Sequence, residues 1–331
     1  MAFFPNPTEL SRNAYWVILA RGLQERGIEL VQNTPGAFTT KWLIQNRNKI
    51  QILHLHFIQQ FYASRKGKTR LVHVMRFAFR LVLARLLGYR TVFTLHNLLP
   101  TYDLQPRWVD YLGHWCAANL VEKVIVYYSS SQCLLKKTYG RQYQVFQIEH
   151  PHVANYYLNT VSKEEARRQI NLSVDHFVFT FFGGIRPNKG IEKLIRAFQQ
   201  IPGDHLRLVI AGSIFRPESY AESLIEMAKE DPRIQFDTRY IPDEEVQVFM
   251  NASDVVVLPF SKILTSGTTV LAMSFRKPVI ASRMGSLPDL VDSEVGWLFD
   301  PDQEESLREC MEQAAKANVE EMGEKAYRKI L

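Results

Sequence analysis

Residues 181–190 read FFGGIRPNKG. An apolar run, VFTFF at 178–182, ends in Gly183 and Gly184; Arg186, Pro187, Asn188 and Lys189 follow, and a helical pattern, GIEKLIRAFQQ, occupies 190–200. A strand end, a glycine turn and a helix start in immediate succession make an anion site. The two glycines let the backbone turn sharply and come close to a ligand. The spacing predicts a helix beginning near Asn188–Gly190, whose exposed N–H groups and dipole favour negative charge. Arg186 adds a guanidinium fork and Lys189 a point charge, which suits a diphosphate. The plain alternative is an ordinary βα turn carrying two solvated cations.

The same alternation of short apolar runs and amphipathic stretches extends in both directions. Towards the N-terminus the runs are MAFF, GIELV, IQILHLHF, RTVFTLH, EKVIVYY and YQVFQIEH. From residue 176 onward they are HFVFTFFGG, LRLVIAGS, RIQFD, DVVVLPF, KPVIAS and GWLFD. Near-continuous apolar strands separated by helices imply parallel sheets covered on both faces. The pattern occurs twice in 331 residues, so the fold class is α/β, with two doubly wound, Rossmann-like domains facing across a cleft. The expected domains are 1–155 and 156–331. Between them HPHVANYYLNT is irregular, and SKEEARRQI opens a new helix with Ser162 as N-cap and Glu165 at the capping-box position.

Two further loops in the second half carry hydroxyls or a turn at a helix start. In LPFSKILTSGTTVLAM, Thr265, Ser266, Gly267 and Thr268 stand where a helix begins, so hydroxyls and open amides could hold phosphate oxygens. Ser266 reads equally as a plain N-cap. In SRMGSLPDLV, Gly285 and Pro288 fix a turn and Asp289 opens another helix.

Composition narrows the function classes. The chain is 46% hydrophobic and 22% charged, enough to bury a sizeable core. Its +6 net charge is uneven: residues 1–150 carry 19 Lys/Arg against 7 Asp/Glu, and residues 151–331 carry 21 against 27. No acidic residue lies between Glu29 and Asp103. Cys116, Cys133 and Cys310 share no disulfide or metal spacing and read as reduced thiols in a cytoplasmic protein. No apolar run approaches the ~18–20 residues of a membrane span, and MAFFPNPTEL does not read as a signal peptide.

The residues quoted so far resemble a family. FFGGIRPNKGIEKLIRAF is similar to the donor-phosphate loop of GT-B glycosyltransferases, close to the family-4 type that builds bacterial polysaccharides and glycolipids. LPFSKILTSGTTVLAMSFRKPVIAS with GSLPDLV and GWLFDP resembles the rest of that donor domain. RTVFTLHNLLP resembles the strand end of the acceptor domain, LHLHF its earlier strand, and EHPHVANYY the passage between domains. The resemblance implies an N-terminal acceptor domain and a C-terminal nucleotide-sugar domain. Arg186 and Lys189 would hold the diphosphate of a UDP- or GDP-sugar, with Gly183 and Gly184 giving close approach. Thr265, Ser266, Gly267 and Thr268 would contact phosphate or sugar, the loop at Arg239, Tyr240 and Ile241 would read the nucleobase, and Ala211–Ser213, including Gly212, would line the nucleotide. The acceptor would be a lipid-linked or polysaccharide glycan. No cofactor beyond the donor is implied.

The chain departs from that pattern in three places. Where the family often places glutamates around the second phosphate loop, Ile263 and Leu271 stand here. The acceptor loop reads Thr101-Tyr102-Asp103 after its proline. The chain stops at EKAYRKIL, where related chains continue into a helix crossing back to the first domain. The departures leave stereochemistry open. An inverting enzyme needs a general base in the first domain, for which His96 is the first candidate and Asp103 the second. In a retaining enzyme the departing phosphate takes the proton and His96 only positions the sugar.

Two features of the first half remain. His54 and His56 share one face of a strand, but no third metal ligand is evident, so they read as structural or cleft-lining. The stretch RKGKTRLVHVMRFAFRLVLARLLGYR sets Arg65, Lys66, Lys68, Arg70, Arg76, Arg80 and Arg85 among apolar residues at helical spacing. Segment 65–90 fits an anionic membrane surface and a peripheral location on the inner face of the cell membrane; a core-facing helix with a solvated basic face is the alternative. A nucleic-acid-binding protein is the first rival reading, but it lacks a binding motif and an exposed stacking face. A nicotinamide dehydrogenase would need a glycine fingerprint after the first strand, and MAFFPNPTELSRN has none. A nucleotide-sugar-binding protein of weak or no catalysis is the third.

Overall fold

The computed structural model describes residues 1–4, 14–31, 38–62, 71–100, 107–215 and 217–331. Asp103, Arg65, Lys66, Lys68 and Arg70 lie outside the described residues. The chain divides into two compact units, Met1–Pro151 and His152–Leu331.

The first unit holds a five-stranded parallel sheet of β1 (Ala2–Phe4), β2 (Ile52–Leu55), β3 (Arg90–Thr94), β4 (Lys123–Val126) and β5 (Val145–Gln147), in the order β1-β2-β3-β4-β5. GIELV, expected as a strand, contributes a single bridge from Val31 to Ala2 on the free side of β1. Val31 N–H donates to the Met1 carbonyl at 2.9 Å, and the Met1 amine donates to the Glu29 carbonyl at 2.6 Å. The chain thus touches one side of β1 and then crosses to β2 on the other, which makes the β1/β2 junction the switch point where open α/β sheets bind ligands.

The second unit contains β6 (Phe177–Phe182), β7 (Leu206–Ala211), β8 (Ile234–Asp237), β9 (Val255–Leu258), β10 (Val279–Ser282) and β11 (Gly296–Phe299), all parallel, in the order β11-β10-β9-β6-β7-β8. The chain runs outward from β6 to β8 and returns to β9 beside β6, so its switch point is β6/β9. The helix Ile191–Gln199 shows why the local sequence folds this way: Ile191, Leu194, Ile195 and Phe198 recur at i, i+3, i+4 and i+7 and are all buried. Burying each contributes about 1.5–3 kcal/mol. At the opposite end of the sheet, Asp254 accepts from Lys163 and Arg167, each at 2.6 Å, and from the Val178 N–H at 2.7 Å, a buried charge fully paired.

The division between units falls after Pro151, not after residue 155. The stretch that follows is fastened to the second unit. Val153 N–H donates to Ser274 Oγ, Tyr156 OH to Asp243, and the N–H groups of Thr160 and Val161 to Gln247 Oε1. Ser162 caps its helix as expected, accepting from Glu165 N–H at 3.2 Å. The Glu165 carboxylate turns instead to Arg168 and Gln169, so the reciprocal half of the capping box is not made.

Candidate functional site

The loops leaving β6 and β9 meet at the switch point of the second unit. Gly183 has φ +131°, and a Cβ there would lie 3.8 Å from Thr268 Oγ1. Ser261 N–H donates to the Asn188 carbonyl at 3.2 Å. The Lys189 ammonium sits 4.2 Å from the Phe260 ring centroid. Gly190, at φ +67°, lies so near the Pro259 backbone that a Cβ would be 1.9 Å from its carbonyl oxygen. The β7 loop joins them: a Cβ on Gly212 would fall 2.1 Å from the Gly183 carbonyl oxygen. The third loop closes against the second, with Ser286 N–H donating to the Leu264 carbonyl at 2.8 Å. Thus Gly183, Gly184, Arg186, Lys189, Gly212 and the Thr265–Thr268 stretch belong to one set of interlocked loops.

Two local details are sharper than the sequence shows. The α-helix begins at Ile191 with Gly190 as its N-cap, next to the expected start, but a separate turn precedes it. Pro187–Lys189 forms a short 3-10 turn, in which Lys189 N–H donates to the Arg186 carbonyl and Gly190 N–H to the Pro187 carbonyl. Those amides are used up, because Pro187 forces a tight turn before the helix can start. In the second loop Ser266 is the N-cap, its hydroxyl accepting from Thr269 N–H at 3.1 Å. The amides of Gly267 and Thr268 precede the capped one in the first turn of the helix Gly267–Ser274. Leu271 is buried on that helix, so an apolar side chain fills the place of an expected glutamate.

The charge balance of these loops is lopsided. Lys189 is 9% exposed, and no carboxylate pairs with it among the described residues. Burial, and then the neighbouring Arg186 charge, push its ammonium down to about 7. Arg186 lies over the Phe215 ring at 5.6 Å. A buried ammonium beside a second cation, with no carboxylate of its own among the described residues, creates a demand for an anion. At the end of β8, Arg239 is already engaged by Asp237 at 3.1 Å and by Glu245. Tyr240 is half exposed and Ile241 is buried, so of the two only Tyr240 presents its side chain at the surface.

His96 lies in a different cluster, at the strand ends of the first unit. Its Nε2 is 3.0 Å from His56 Nδ1, and its Nδ1 is 3.3 Å from the Tyr127 hydroxyl. Phe57 stacks on the ring at 4.4 Å and Tyr15 meets it edge-on at 5.3 Å. His54 pairs with Thr94 Oγ1 at 2.8 Å and its ring lies 4.2 Å from that of His56. Burial pushes His54 and His96 down to about 3, the His150 and His54 charges adding to the effect at His96, and burial also holds His56 well below its ordinary value. The imidazoles are therefore neutral near pH 7. When Tyr127 donates to His96, the His96 proton sits on Nε2 and donates to His56. His56 then carries its own proton on Nε2, which finds no partner among the described residues. Both ring nitrogens of His96 are held by protein groups, so it serves as a base only after exchanging one of those bonds.

Sequence reasoning missed Tyr15, Tyr127 and His150, which complete this cluster. The pair His54/His56 was visible from alternation along one strand. The rest depends on the β2–β3–β4 register, in which Leu55 faces Phe93 and Phe93 faces Val124.

The family model "Glycosyl transferases group 1" matches residues 162–329. The chain is 26% identical over 262 residues to a GDP-mannose:glycolipid 4-beta-D-mannosyltransferase of Xanthomonas campestris pv. campestris, covering 76% of this chain and 67% of that one. It is 32% identical over 150 residues to a D-inositol 3-phosphate glycosyltransferase of Corynebacterium glutamicum, spanning 43% of this chain and 36% of that one. Among solved structures, Anabaena HepE in complex with UDP shares the fold at TM-score 0.70 and 19% identity, over 94% of this chain and 84% of that one. Sucrose-phosphate synthase from Thermosynechococcus elongatus does so at TM-score 0.71 and 19% identity, over 88% and 71%.

Proposed function

The chain belongs to the glycosyl transferases group 1 and is a glycosyltransferase of GT-B fold, and we propose that it moves a hexosyl group from a UDP- or GDP-sugar to a lipid-linked or polysaccharide glycan without a metal ion. The observation that carries the donor reading is the buried Lys189 ammonium at the β6/β9 switch point, which has no carboxylate partner among the described residues and has the Arg186 charge beside it. A diphosphate supplies the missing counter-charge to Lys189 and lies within the field of Arg186. The amides of Gly267 and Thr268 extend the cradle. Tyr240 and the Ala211–Ser213 backbone are the groups we assign to the nucleoside.

In the reaction, the bond between the anomeric carbon and the diphosphate oxygen breaks as the acceptor hydroxyl oxygen bonds to that carbon. The acceptor proton leaves to a base or to the departing diphosphate, and UDP or GDP is released. Charge that develops on the leaving oxygen is met by Arg186, Lys189 and the two amides, groups already oriented before the reaction. This is the support for a reaction without a metal. We assign His96 to orienting the acceptor or sugar, because the bonds to His56 and Tyr127 fix its ring. The mannosyltransferase relative names a glycolipid acceptor and a GDP-mannose donor, which makes that pair the first to assay. We place the reaction at the cytoplasmic face of the membrane, a reducing compartment that suits the exposed thiol of Cys133.

Isothermal titration of the full chain with GDP-mannose and UDP-glucose tests the reading. One of the two is expected to bind, and Arg186→Ala and Lys189→Ala are each expected to weaken it about 10- to 100-fold, the range for a hydrogen bond to a charged group. Unchanged affinity in both variants removes the donor assignment. Binding without turnover on any glycan acceptor favours the non-catalytic reading.

A further inference from the structure

The helix Leu71–Leu86 of the first unit is apolar on two opposite faces. Val74, Phe77, Leu81 and Ala84 are buried. Val72, Met75, Phe79, Val82 and Leu86 recur on the other side at alternating three- and four-residue steps, and all are exposed, Met75 at 62%, Phe79 at 58% and Leu86 at 79%. A solvent-facing stripe of this length is not needed for packing, and contiguous exposed apolar surface marks an interaction site. Arg76 and Arg80 run along its flank one turn apart. Burial and the charge of Arg76 lower the Arg80 pKa. Like charges at that spacing oppose each other, and no acidic residue lies between Glu29 and Asp103 in the sequence to relieve them.

The adjoining helix strengthens the case. Arg107–Leu120 packs against Leu71–Leu86, and the two join β2 to β3 and β3 to β4 in a sheet of that order. Right-handed crossovers in one direction put both helices on the same face of the sheet. The outer side of Arg107–Leu120 exposes Trp108 at 59% and, two turns on, Trp115. Tryptophan concentrates where an apolar medium meets water.

We propose that this face of the first unit lies on an anionic lipid bilayer, with the Val72–Leu86 stripe in the outer acyl region, Arg76 and Arg80 on headgroup phosphates, and Trp108 and Trp115 at the boundary. The sequence alone pointed to the cations as the contact; the structure makes the apolar stripe the seat and the cations its rim. The inference deepens the proposed function, resting on it only for the glycolipid acceptor that such a seat would present. Charge complementarity selects a bilayer over a second copy of the chain, since the same arginines would face each other across a two-fold interface.

Co-sedimentation of the full chain with phosphatidylglycerol–phosphatidylethanolamine vesicles and with phosphatidylcholine vesicles tests it. Binding is expected to the anionic vesicles and to weaken with salt. Met75→Ser/Phe79→Ser should lower partitioning at least about tenfold, from lost apolar burial. Arg76→Gln/Arg80→Gln should lower it by about thirtyfold and flatten the salt dependence. Both variants should keep the wild-type affinity for the nucleotide sugar, which shows that they fold. Equal partitioning of both variants overturns the proposal. So does a wild-type dimer that Met75→Ser/Phe79→Ser separates while vesicles are ignored, or retention of a single-stranded oligonucleotide in place of vesicles. Vesicle binding without any nucleotide-sugar binding would leave this surface standing and remove the donor reading instead.

Discussion

The strand ends of the two units solve the burial of polar groups in opposite ways. In the first unit the groups answer one another: His54 to Thr94, His56 to His96, His96 to Tyr127. All are neutral near pH 7, so the cluster is stable with nothing bound. In the second unit Arg186 and Lys189 share one sign and Lys189 has no acid partner among the described residues. That arrangement costs stability until an anion arrives. A site for a charged ligand is therefore recognisable by what the protein leaves unneutralised, and the histidine cluster by a chain of neutral donors and acceptors that leaves only a neutral N–H, that of His56 Nε2, without a partner among the described residues.

Acid breaks the comparison most forcefully. The folded-state pKa of His54 and of His96 is about 3, against about 6.5 in an unfolded chain. A depressed value means that the folded state binds fewer protons, so the stability is fully present above pH 6.5 and is lost as pH falls towards 3. By pH 4 the loss is on the order of 3 kcal/mol per imidazole. The first unit should unfold before the second on acidification. Trp16, Trp42, Trp108 and Trp115 lie in the first unit and Trp297 in the second, so tryptophan emission follows the first unit. Simultaneous loss of nucleotide-sugar binding and tryptophan emission would erase the distinction.

Gly190→Ala comes next. A Cβ would strike the Pro259 carbonyl oxygen at 1.9 Å and would have to adopt φ +67°. The left-handed conformation costs about 1 kcal/mol or more and the backbone overlap adds more, for a total on the order of 3 kcal/mol. Because Gly190 and Pro259 join the loops that follow β6 and β9, the variant should lose both stability and affinity for the proposed nucleotide-sugar donor, measured by thermal melting and titration. A variant of wild-type stability would mean that the two loops are not locked together.

Lys189→Met should separate stability from function. The Lys189 pKa of about 7 is below its ordinary value, so the ammonium destabilises the ligand-free fold at and below pH 7, and the penalty fades as pH rises from 7 towards the unfolded value near 10.4. Replacing it should raise the melting midpoint at pH 6.5 by a few degrees, roughly 2–4 °C per kcal/mol, while donor affinity falls. The wild type should bind the nucleotide sugar more weakly at pH 8.5 than at pH 6.5, since a diphosphate prefers the ammonium form. Titration in buffers of different ionisation enthalpy should show proton uptake on binding at pH 8. Affinity independent of pH would place the ammonium outside the donor site.

Much of this was legible from the sequence, and unevenly. The second unit was readable because VFTFFGG and DVVVLPF are apolar strands cut off abruptly, so the strand ends and their loops are local facts. The same locality hid the 3-10 turn that Pro187 imposes directly before the helix. It also misled at GIELV, since a β-rich run becomes a strand only beside a partner, and β1 offers Val31 a single bridge. The histidine cluster is the opposite case: Tyr15, His56, His96, Tyr127 and His150 come from distant segments, and only register and helix docking bring them together. Chemistry held in one loop is legible; chemistry assembled across strands is not.

Ser266 offers the smallest and sharpest test, because it separates a capping hydroxyl from a phosphate ligand. Its oxygen accepts from Thr269 N–H at 3.1 Å and the side chain is buried. Removing a cap costs about 1 kcal/mol, so Ser266→Ala should lower the melting midpoint by roughly 2–4 °C. Ser266→Asn, which can cap in the same way, should restore most of that loss. Donor affinity should change little in either variant, since the amides of Gly267 and Thr268 are backbone groups and remain in place. A fall in affinity as large as that of Lys189→Ala, not rescued by asparagine, would move the hydroxyl from the helix to the diphosphate and make the second loop a side-chain site like the first.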